Sequence, residues 1–250
     1  MTRTEQTALE RFLARLLRRS ALTAEERSAV LDLRSHAVQV PAHRDIVVPG
    51  QETGSACLVV DGLVARFDQM ADGARQITAL YLAGDMCDLH SVVSSTAGWG
   101  LQAITTTTIM RVLHADLREL AVNHPGIAFA FWRDTAVDAS VLAKWVSNVG
   151  RRDARSRLAH LFCEIGMRSE HAGIGSRADF ALPMTQTQLG DTLGLTPVHI
   201  NRTIQAMRHD GLISTQGSRV RVGRWDDLVS AAEFDPRFLL IEGRPNSIAA

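Results

Sequence analysis

Residues 184–222, MTQTQLGDTLGLTPVHINRTIQAMRHDGLISTQGSRVRV, carry the start and stop signals of two short helices and a hairpin. Thr185 and Gln188 have the spacing of a capping box, which predicts the start of the first helix. Gly194 predicts its end, because glycine readily adopts a positive φ. The Thr-Pro pair at 196–197 then supplies an N-cap and a first helical residue for a second helix. Two helices joined by a tight glycine turn predict a helix-turn-helix.

The second predicted helix has one apolar and one polar face. Ile200, Ile204 and Met207 lie at i, i+4 and i+7, so we expect them to pack inward. In the major groove, arginine can pair with guanine, asparagine or glutamine can pair with adenine, and apolar groups can contact thymine methyls. We therefore expect base contacts from the outward residues, which are Pro197, Val198, Asn201, Arg202 and Gln205.

A β-hairpin is predicted directly after the second helix, turning near residues 216–218. Arg219 and Arg221 fall on this wing, where we expect them to contact DNA phosphates. A helical hairpin with a solvated polar face is the alternative. The caps, the two-faced helix and the basic wing all favour the DNA-binding interpretation.

The segment LGDTLGLTPVHINRTIQAMRHDGLI, residues 189–213, resembles the helix-turn-helix signature of the Crp/Fnr family of bacterial transcription regulators. The resemblance covers nearly the whole chain and implies an α+β fold. Its parts would be a cyclic-nucleotide-binding-like β-roll (a jelly roll), a long dimerisation helix and a C-terminal winged helix-turn-helix. On this resemblance the domains are residues 1–124 (N-terminal helices and β-roll sensor), 125–150 (dimerisation helix), 151–230 (DNA-binding domain) and 231–250 (C-terminal tail).

The resemblance also assigns roles to individual residues. Arg202 matches the family's usual base-reading arginine, and Asn201 falls on a further reading position of the Fnr branch. Pro197 and Val198 depart from the usual Arg-Glu or Val-Glu, so the target need not be the standard half-site. Phosphate contacts would come from the start of the first helix and from the turn, on Thr185, Gln186, Thr187, Thr196 and His199.

The charge distribution fits a polyanionic partner. The whole chain has zero net charge, but residues 151–225 carry 11 arginines against six acidic residues. Arginine suits bidentate contacts to phosphates and base edges. Upstream, short β-rich runs cut by glycines between about 37 and 113 are typical of a roll rather than of alternating βαβ units. Residues 105–108, four threonines, read as part of a strand.

A helix is predicted over residues 125–149, between the β-rich part of the chain and the helix-turn-helix part. A seam of residues recurs along it at steps of three or four. Such a repeat predicts a homodimer contact. An amphipathic helix docked on its own domain is the alternative. The residues assigned to the dimer contact are Ile127, Phe131, Val141 and Trp145, in a seam that also includes Asp134, Asp138 and Asn148.

The candidate effector pocket consists of Asp85, Cys87, Asp88 and His90. Cyclic-AMP-binding members supply a Gly-Glu and an Arg-Ser or Arg-Thr in this region. Here Asp85 replaces the glutamate, and no arginine occurs between Arg75 and Arg111 to neutralise a cyclic phosphate. We therefore expect no response to cyclic AMP, and the effector stays unknown.

Two sensing alternatives involve Cys87 and His90. His90 resembles in position the haem-ligating histidine of the carbon-monoxide-sensing member, and imidazole and thiolate are both axial haem ligands. A metal or redox centre completed by Asp88 is the second alternative, and a hydrogen-bonded polar loop is the bland one. A Fnr-type iron–sulfur cluster is excluded because no cysteine precedes Cys57. We expect no metal or cofactor.

Other classes of protein fit less well. The three cysteines lack CxxC spacing, and the chain shows neither a signal peptide nor a membrane-length apolar run, so we expect a cytoplasmic protein. No nucleophile–base pair or phosphate-binding loop indicates an enzyme. The expected partners are double-stranded DNA, a second copy of the chain and, from the resemblance, RNA polymerase. The rival hypothesis is a small-molecule-binding module whose winged helix contacts proteins.

Overall fold

The computed structural model describes residues 3–241, in which two helices and a β-roll precede a long helix and a winged helix. The N-terminal helices are α1 (Arg3–Leu17) and α2 (Ala24–Leu31), and a capping box between Thr23 and Glu26 starts α2. The roll contains β1 (Ser35–Val40), β2 (Asp45–Val47), β3 (Ser55–Asp61), β4 (Val64–Gln69), β5 (Arg75–Tyr81), β6 (Gly100–Ala103) and β7 (Thr107–Leu113), with a 3₁₀ turn at Leu89–Val92.

The roll is formed by two antiparallel sheets, of strand order β1-β7-β3 and β2-β6-β4-β5. Val59, Val64, Leu101 and Ile109 are fully or almost fully buried in the core of the roll. Because successive side chains of a strand point to opposite faces of the sheet, each sheet turns one apolar face toward this core.

The threonine run at residues 105–108 is not one strand, contrary to the prediction. The chain bends at residues 104–106, and β7 starts only at Thr107. The cause is side-chain hydrogen bonding: Thr105 Oγ1 accepts from the Leu63 amide at 3.1 Å, and Thr107 Oγ1 donates to the Thr105 carbonyl at 2.8 Å. Threonine hydroxyls that bond to nearby backbone groups compete with strand pairing in this way.

Three helices connect the roll to the winged helix: α3 (His114–Asn123), α4 (Pro125–Arg151) and α5 (Ala154–Ala172). The sequence reading missed α3. Helix α5 continues to Ala172 and ends at Gly173, whose φ is 67°. None of the helices within residues 3–241 combines the length and apolar character needed to cross a membrane.

The winged helix consists of β8 (Asp179–Ala181), α6 (Gln186–Leu193), α7 (Pro197–His209), β9 (Ile213–Gln216), β10 (Arg219–Val222) and α8 (Trp225–Ala232), followed by a 3₁₀ turn at Pro236–Leu239. The wing is an antiparallel sheet of order β8-β10-β9. The predicted fold class is confirmed: a β-roll, a long helix and a C-terminal winged helix-turn-helix.

The segment expected as a C-terminal tail begins inside α8 rather than after it. Phe234 and Phe238 pack on the His160 ring of α5, with ring centroids 5.1 and 5.5 Å away. The described part of the segment, residues 231–241, therefore contributes to the core. Residues 242–250 of the predicted tail lie outside the described residues.

The residues assigned to the dimer contact lie on the inner face of α4. Ile127, Phe131, Val141 and Trp145 are each at most 8% exposed within the single chain. Side chains that are buried by their own chain offer no surface to a partner, so this seam was wrong. The alternative, a face docked on the helix's own chain, describes these residues.

Candidate nucleic-acid interface

Local capping positions the two helices of the helix-turn-helix. Thr185 Oγ1 accepts from the Gln188 amide at 3.2 Å, and Gln188 Oε1 accepts from the Thr185 amide at 2.9 Å, so the predicted capping box is present. Gly194 follows α6 with a φ of 63°. Thr196 Oγ1 then accepts from the His199 amide at 3.3 Å, and Pro197 is the first residue of α7. These caps satisfy backbone donors that the helix starts leave free.

The two faces of α7 are sorted as predicted. Ile200 and Met207 are fully buried, and Ile204 is half-buried. Val198 is 79% exposed. The remaining predicted base-reading residues are exposed as well: Pro197, Asn201, Arg202 and Gln205. The structure thus brings all five to one solvent-facing surface, and their contact with bases stays a prediction.

Asn201 has a second role within the motif. Its Nδ2 donates to Gln186 Oε1 at 3.3 Å, so it connects α7 to the start of α6. Arg202, by contrast, makes no ion pair or hydrogen bond within residues 3–241 and extends into a shallow concavity that also contains Arg155 and Arg157. An exposed guanidinium without a competing partner is free to bond a base edge.

The predicted phosphate-binding residues lie at the starts of α6 and α7. Thr185, Gln186, Thr187 and Thr196 are exposed, and His199 is half-buried. They surround the N-terminal ends of α6 and α7, whose free amides and dipoles favour a negative group. Their placement suits the predicted phosphate contacts.

The wing arginines have a carboxylate partner that the sequence reading missed. Arg219 Nη2 lies 2.8 Å from Asp179 Oδ1, and Arg221 Nε lies 3.4 Å from Asp179 Oδ2. The Arg219 hydrogen bond holds the pKa of the Asp179 carboxyl below its usual value. Asp179 is on β8, about 40 residues before the arginines, so only the sheet register β10–β8 brings the three together. One carboxylate therefore offsets part of the positive charge of the wing.

The four residues of the candidate effector pocket do not form a pocket. Cys87 is buried in the roll core, and its burial raises the pKa of the thiol, which disfavours a thiolate ligand. Asp88 Oδ1 accepts from the Cys57 amide at 2.7 Å, and His90 packs on Trp99 with centroids 4.8 Å apart. Within residues 3–241, no group of three or more His, Cys, Asp or Glu side chains could hold a metal ion.

Asp85 joins the roll to two helices by ion pairs. Its Oδ1 accepts from Arg15 Nη1 of α1 at 2.6 Å, and its Oδ2 accepts from Arg168 Nη2 of α5 at 2.8 Å. Burial alone would raise the pKa of the Asp85 carboxyl, yet the two guanidinium groups hold this pKa below its usual value. Asp85 therefore stays charged and links the roll to the winged-helix part of the chain.

The same charge network extends into α4. Arg15 Nε donates to Asp134 Oδ1 at 2.6 Å, and Arg168 Nη1 donates to Glu164 Oε1 at 2.9 Å. Glu164 Oε2 accepts from Trp145 Nε1 of α4 at 2.7 Å. We call Arg15, Asp85, Asp134, Glu164 and Arg168 the charge hub. The hub ties α1, the roll, α4 and α5 into one hydrogen-bonded unit.

A second contact connects the roll directly to the helix-turn-helix. Gln76 Nε2 of β5 donates to the Asp191 carbonyl of α6 at 2.6 Å. Gln188 Nε2 lies 3.4 Å from His43 Nδ1. The first helix of the motif therefore rests on the roll of its own chain, which leaves α7 facing solvent.

The outer face of α4 carries an exposed apolar stripe that the sequence reading did not single out. Its members follow three- and four-residue steps along the helix: Phe129, Trp132, Ala136, Ala139, Ala143 and Val146. Trp132 is 71% exposed and stacks on Phe129, with ring centroids 5.9 Å apart. A heptad-spaced apolar stripe is the pattern of a helix that pairs with another helix.

Comparisons with known proteins find a domain model and several regulatory proteins that this chain resembles. Residues 156–231 match the model of the Crp-like helix-turn-helix domain. The regulatory protein HlyX of Actinobacillus pleuropneumoniae is 26% identical over 72% of this chain and 74% of its own length. The transcriptional activator protein FnrL of Cereibacter sphaeroides is 24% identical over 78% of this chain and 79% of its own.

Solved structures share the fold. FixK2 from Bradyrhizobium japonicum superposes with a TM-score of 0.73 at 24% identity, over 80% of this chain and 98% of that chain. CooA from Carboxydothermus hydrogenoformans superposes with a TM-score of 0.64 at 16% identity, over 79% of this chain and 88% of that chain. These likenesses concern the arrangement of roll, long helix and winged helix.

Proposed function

We propose that this chain, a DNA-binding transcription regulator of the Crp/Fnr type with a Crp-like helix-turn-helix domain at residues 156–231, binds an inverted-repeat DNA site as a homodimer. In this proposal α7 enters the major groove, and the start of α6 and the wing contact phosphates. Two-fold symmetry would place the half-sites about one helical turn apart. We place this activity in the cytoplasm, with double-stranded DNA and RNA polymerase as partners.

One observation carries the proposal: the outward face of α7 presents four exposed side chains with base-reading chemistry. Val198 offers a methyl contact, whereas Arg202 offers a bidentate pair of donors. Asn201 and Gln205 offer amides that match adenine. A buried Ile200 and Met207 fix the opposite face on the domain, so these side chains point away from it together.

The dimer is proposed through the exposed stripe of α4 instead of the buried seam. Regulators of this type typically bind DNA as dimers. The stripe has bulky residues at its ends, Phe129, Trp132 and Val146, and alanines between them, which would let two helices approach closely. An exposed Trp beside an exposed Phe is an apolar patch of the kind that marks an interface.

In this proposal the roll is a sensor that acts on DNA binding through the charge hub. Asp85 belongs to the roll and Arg168 belongs to α5, the helix that leads into the winged helix. The side chain of Asp85 is used by these ion pairs, which supports the expectation that cyclic AMP is not the effector. A ligand that altered the hub would alter how the winged helix is held.

Fluorescence anisotropy with labelled random-sequence duplex DNA, measured at several salt concentrations, tests the DNA-binding part of the proposal. We expect binding at low salt whose affinity falls steeply as salt rises, because phosphate contacts release counterions. Lack of binding at every salt concentration would favour the rival hypothesis of a protein-contacting winged helix.

A further inference from the structure

Four arginines lie close together in α1 and directly after it. Arg11 and Arg15 belong to α1, Arg18 and Arg19 belong to the turn that follows it, and all four line a cleft between α1, the loop after β5 and the end of α5. Arg168 of α5 lines the same cleft. Like charges this close together repel each other, so the arrangement needs negative charge nearby.

The described residues supply only part of this negative charge. Among residues 3–241 that line the cleft, Asp85 is the one carboxylate, and Arg15 and Arg168 share it. Asp134 lies behind the cleft, where its Oδ1 pairs with Arg15 Nε at 2.6 Å and is 3.6 Å from Arg19 Nη1. The acidic groups are thus committed to the inner end of the cleft.

Among residues 3–241, no carboxylate lines the outer end of the cleft. The Arg11 side chain makes neither an ion pair nor a hydrogen bond with these residues, and the Arg18 side chain makes no ion pair with them. Arg18 Nη2 donates to the His171 carbonyl, which leaves its other donors available. His171 Nδ1 donates to the Met167 carbonyl at 2.6 Å, so its Nε2 is the unused ring nitrogen, which donates when the imidazole carries both protons.

The buried arginines of the cleft differ in how well their charge is balanced. Burial and the neighbouring charge of Arg15 lower the pKa of Arg19 to about 10, whereas nearby carboxylates raise the pKa of Arg15 and of Arg168. The charged form of Arg19 would therefore gain from a bound anion. The α1 backbone also lies directly on the roll here, because Gly84 has no side chain: a Cβ at this position would come within 2.7 Å of Arg11 Cβ.

We propose that this cleft binds a phosphate group through Arg11, Arg18 and His171. The cleft encloses about 430 Å³ of space that includes its opening to solvent. Its unused donors come from Arg11 of α1, from Arg18 in the turn after α1 and, when the imidazole carries both protons, from His171 of α5, so they approach from different directions. A tetrahedral oxyanion accepts hydrogen bonds from several directions, whereas a carboxylate is planar and pairs best with a single guanidinium fork.

A phosphate in the cleft would connect three parts of the chain: α1, the Gly84–Asp85 loop of the roll and α5. It would lie beside the hub arginines Arg15 and Arg168 and compete with Asp85 for their charge. Phosphate binding does not depend on the proposed function. An effect of bound phosphate on DNA affinity does rest on the proposed function. The two parts therefore need separate measurements.

Isothermal titration calorimetry of the full chain with inorganic phosphate, at constant ionic strength set by sodium chloride, tests the site. We expect Arg11→Gln and Arg18→Gln each to weaken phosphate binding about tenfold, the effect of one charge-assisted hydrogen bond. Arg3→Gln is the matched control, since Arg3 is exposed on the same helix outside the cleft. It should leave the affinity unchanged.

A nucleoside monophosphate and succinate are titrated in parallel. Equal affinity for the monophosphate and inorganic phosphate assigns the site to the free ion, and at least tenfold tighter binding of the monophosphate assigns it to a phosphorylated metabolite. Both outcomes require loss in the Arg11 and Arg18 variants. Tighter binding of succinate than of phosphate, or phosphate binding that the variants leave intact, would overturn the proposal, as would no heat beyond that of chloride.

NMR spectra of the arginine Nε–H groups in the unsubstituted chain test the same site without variants, which could fail to fold. Phosphate should shift the Arg11 and Arg18 signals before that of Arg3. Uniform shifts in all three would contradict the site. DNA affinity measured with and without phosphate then tests whether phosphate regulates DNA binding. A chain that binds phosphate but never binds DNA would refute the proposed function and leave the phosphate site intact.

Discussion

Asp85 and Arg168 form a buried ion pair between the roll and α5, with 2.8 Å between Asp85 Oδ2 and Arg168 Nη2. Their side chains are 9% and 12% exposed. A buried pair of this kind is a weak argument for stability as such, but the loss of one partner is costly. Because Asp85 belongs to the roll and Arg168 belongs to α5, that cost also measures how strongly these two parts of the chain are joined.

Asp85→Asn should lower the free energy of unfolding by about 3–5 kcal/mol, since it leaves Arg15 and Arg168 buried without their shared carboxylate. Urea unfolding of the full chain measures this effect. Asp45→Asn is the control: Asp45 pairs with Arg75 in a more exposed setting, where the loss should stay below about 1 kcal/mol. Equal losses in the two variants would contradict the role of Asp85 as a buried link.

Asp179→Asn should strengthen DNA binding, because it releases Arg219 and Arg221 from their carboxylate partner. We expect the gain for all DNA sequences alike, together with a steeper dependence of affinity on salt. Arg219→Ala should do the opposite, with weaker binding and a flatter salt dependence. Anisotropy titrations measure both. An altered sequence preference in either variant would show that the wing reads bases instead of contacting phosphates.

Trp132→Glu should convert the proposed dimer into a monomer, because it places a charge in the apolar stripe of α4. Sedimentation velocity at micromolar concentration measures the oligomeric state. Val122→Glu is the matched control, since Val122 is an equally exposed apolar residue on α3. A Trp132→Glu chain that remains dimeric would place the dimer contact elsewhere.

Asp88→Asn should remove a pH dependence of stability. Burial raises the pKa of the Asp88 carboxyl from 3.8 to about 7. The protonated carboxyl therefore stabilises the folded state fully below about pH 4, and this contribution is lost as the pH rises through 7. Asparagine mimics the protonated form and can still accept from the Cys57 amide.

The variant should accordingly match the wild type at pH 5 within about 1–2 kcal/mol and exceed its free energy of unfolding by about 2–4 kcal/mol at pH 8. Urea unfolding at the two pH values measures the difference. A difference that stays constant with pH would mean that Asp88 is ionised throughout.

The helix-turn-helix was predictable because its signals are local. The capping box of Thr185 and Gln188, the turn at Gly194 and the N-cap Thr196 each act within four residues. The two faces of α7 follow from helical periodicity alone. Such features need no knowledge of the rest of the chain.

The predictions that were wrong or missing concern features that depend on tertiary packing. Both faces of α4 repeat apolar residues at three- and four-residue steps, so periodicity could not tell the buried face of Ile127 from the exposed face of Trp132. The partner of Arg219 lies on β8, and Asp85, one of the two carboxylate partners of Arg168, lies 83 residues away in the roll. Long-range ion pairs leave no periodic pattern in a sequence.

The most direct test of a homodimer that reads DNA through α7 is selection and sequencing of random duplex DNA. The purified full chain and its Arg202→Ala variant are compared. We expect an inverted repeat with half-sites about 10 base pairs apart, centre to centre. With Arg202→Ala, preference should relax at one symmetric position, at a cost of about 1–3 kcal/mol. A site without two-fold symmetry, no enrichment at all, or an Arg202→Ala consensus identical to that of the wild type would contradict it.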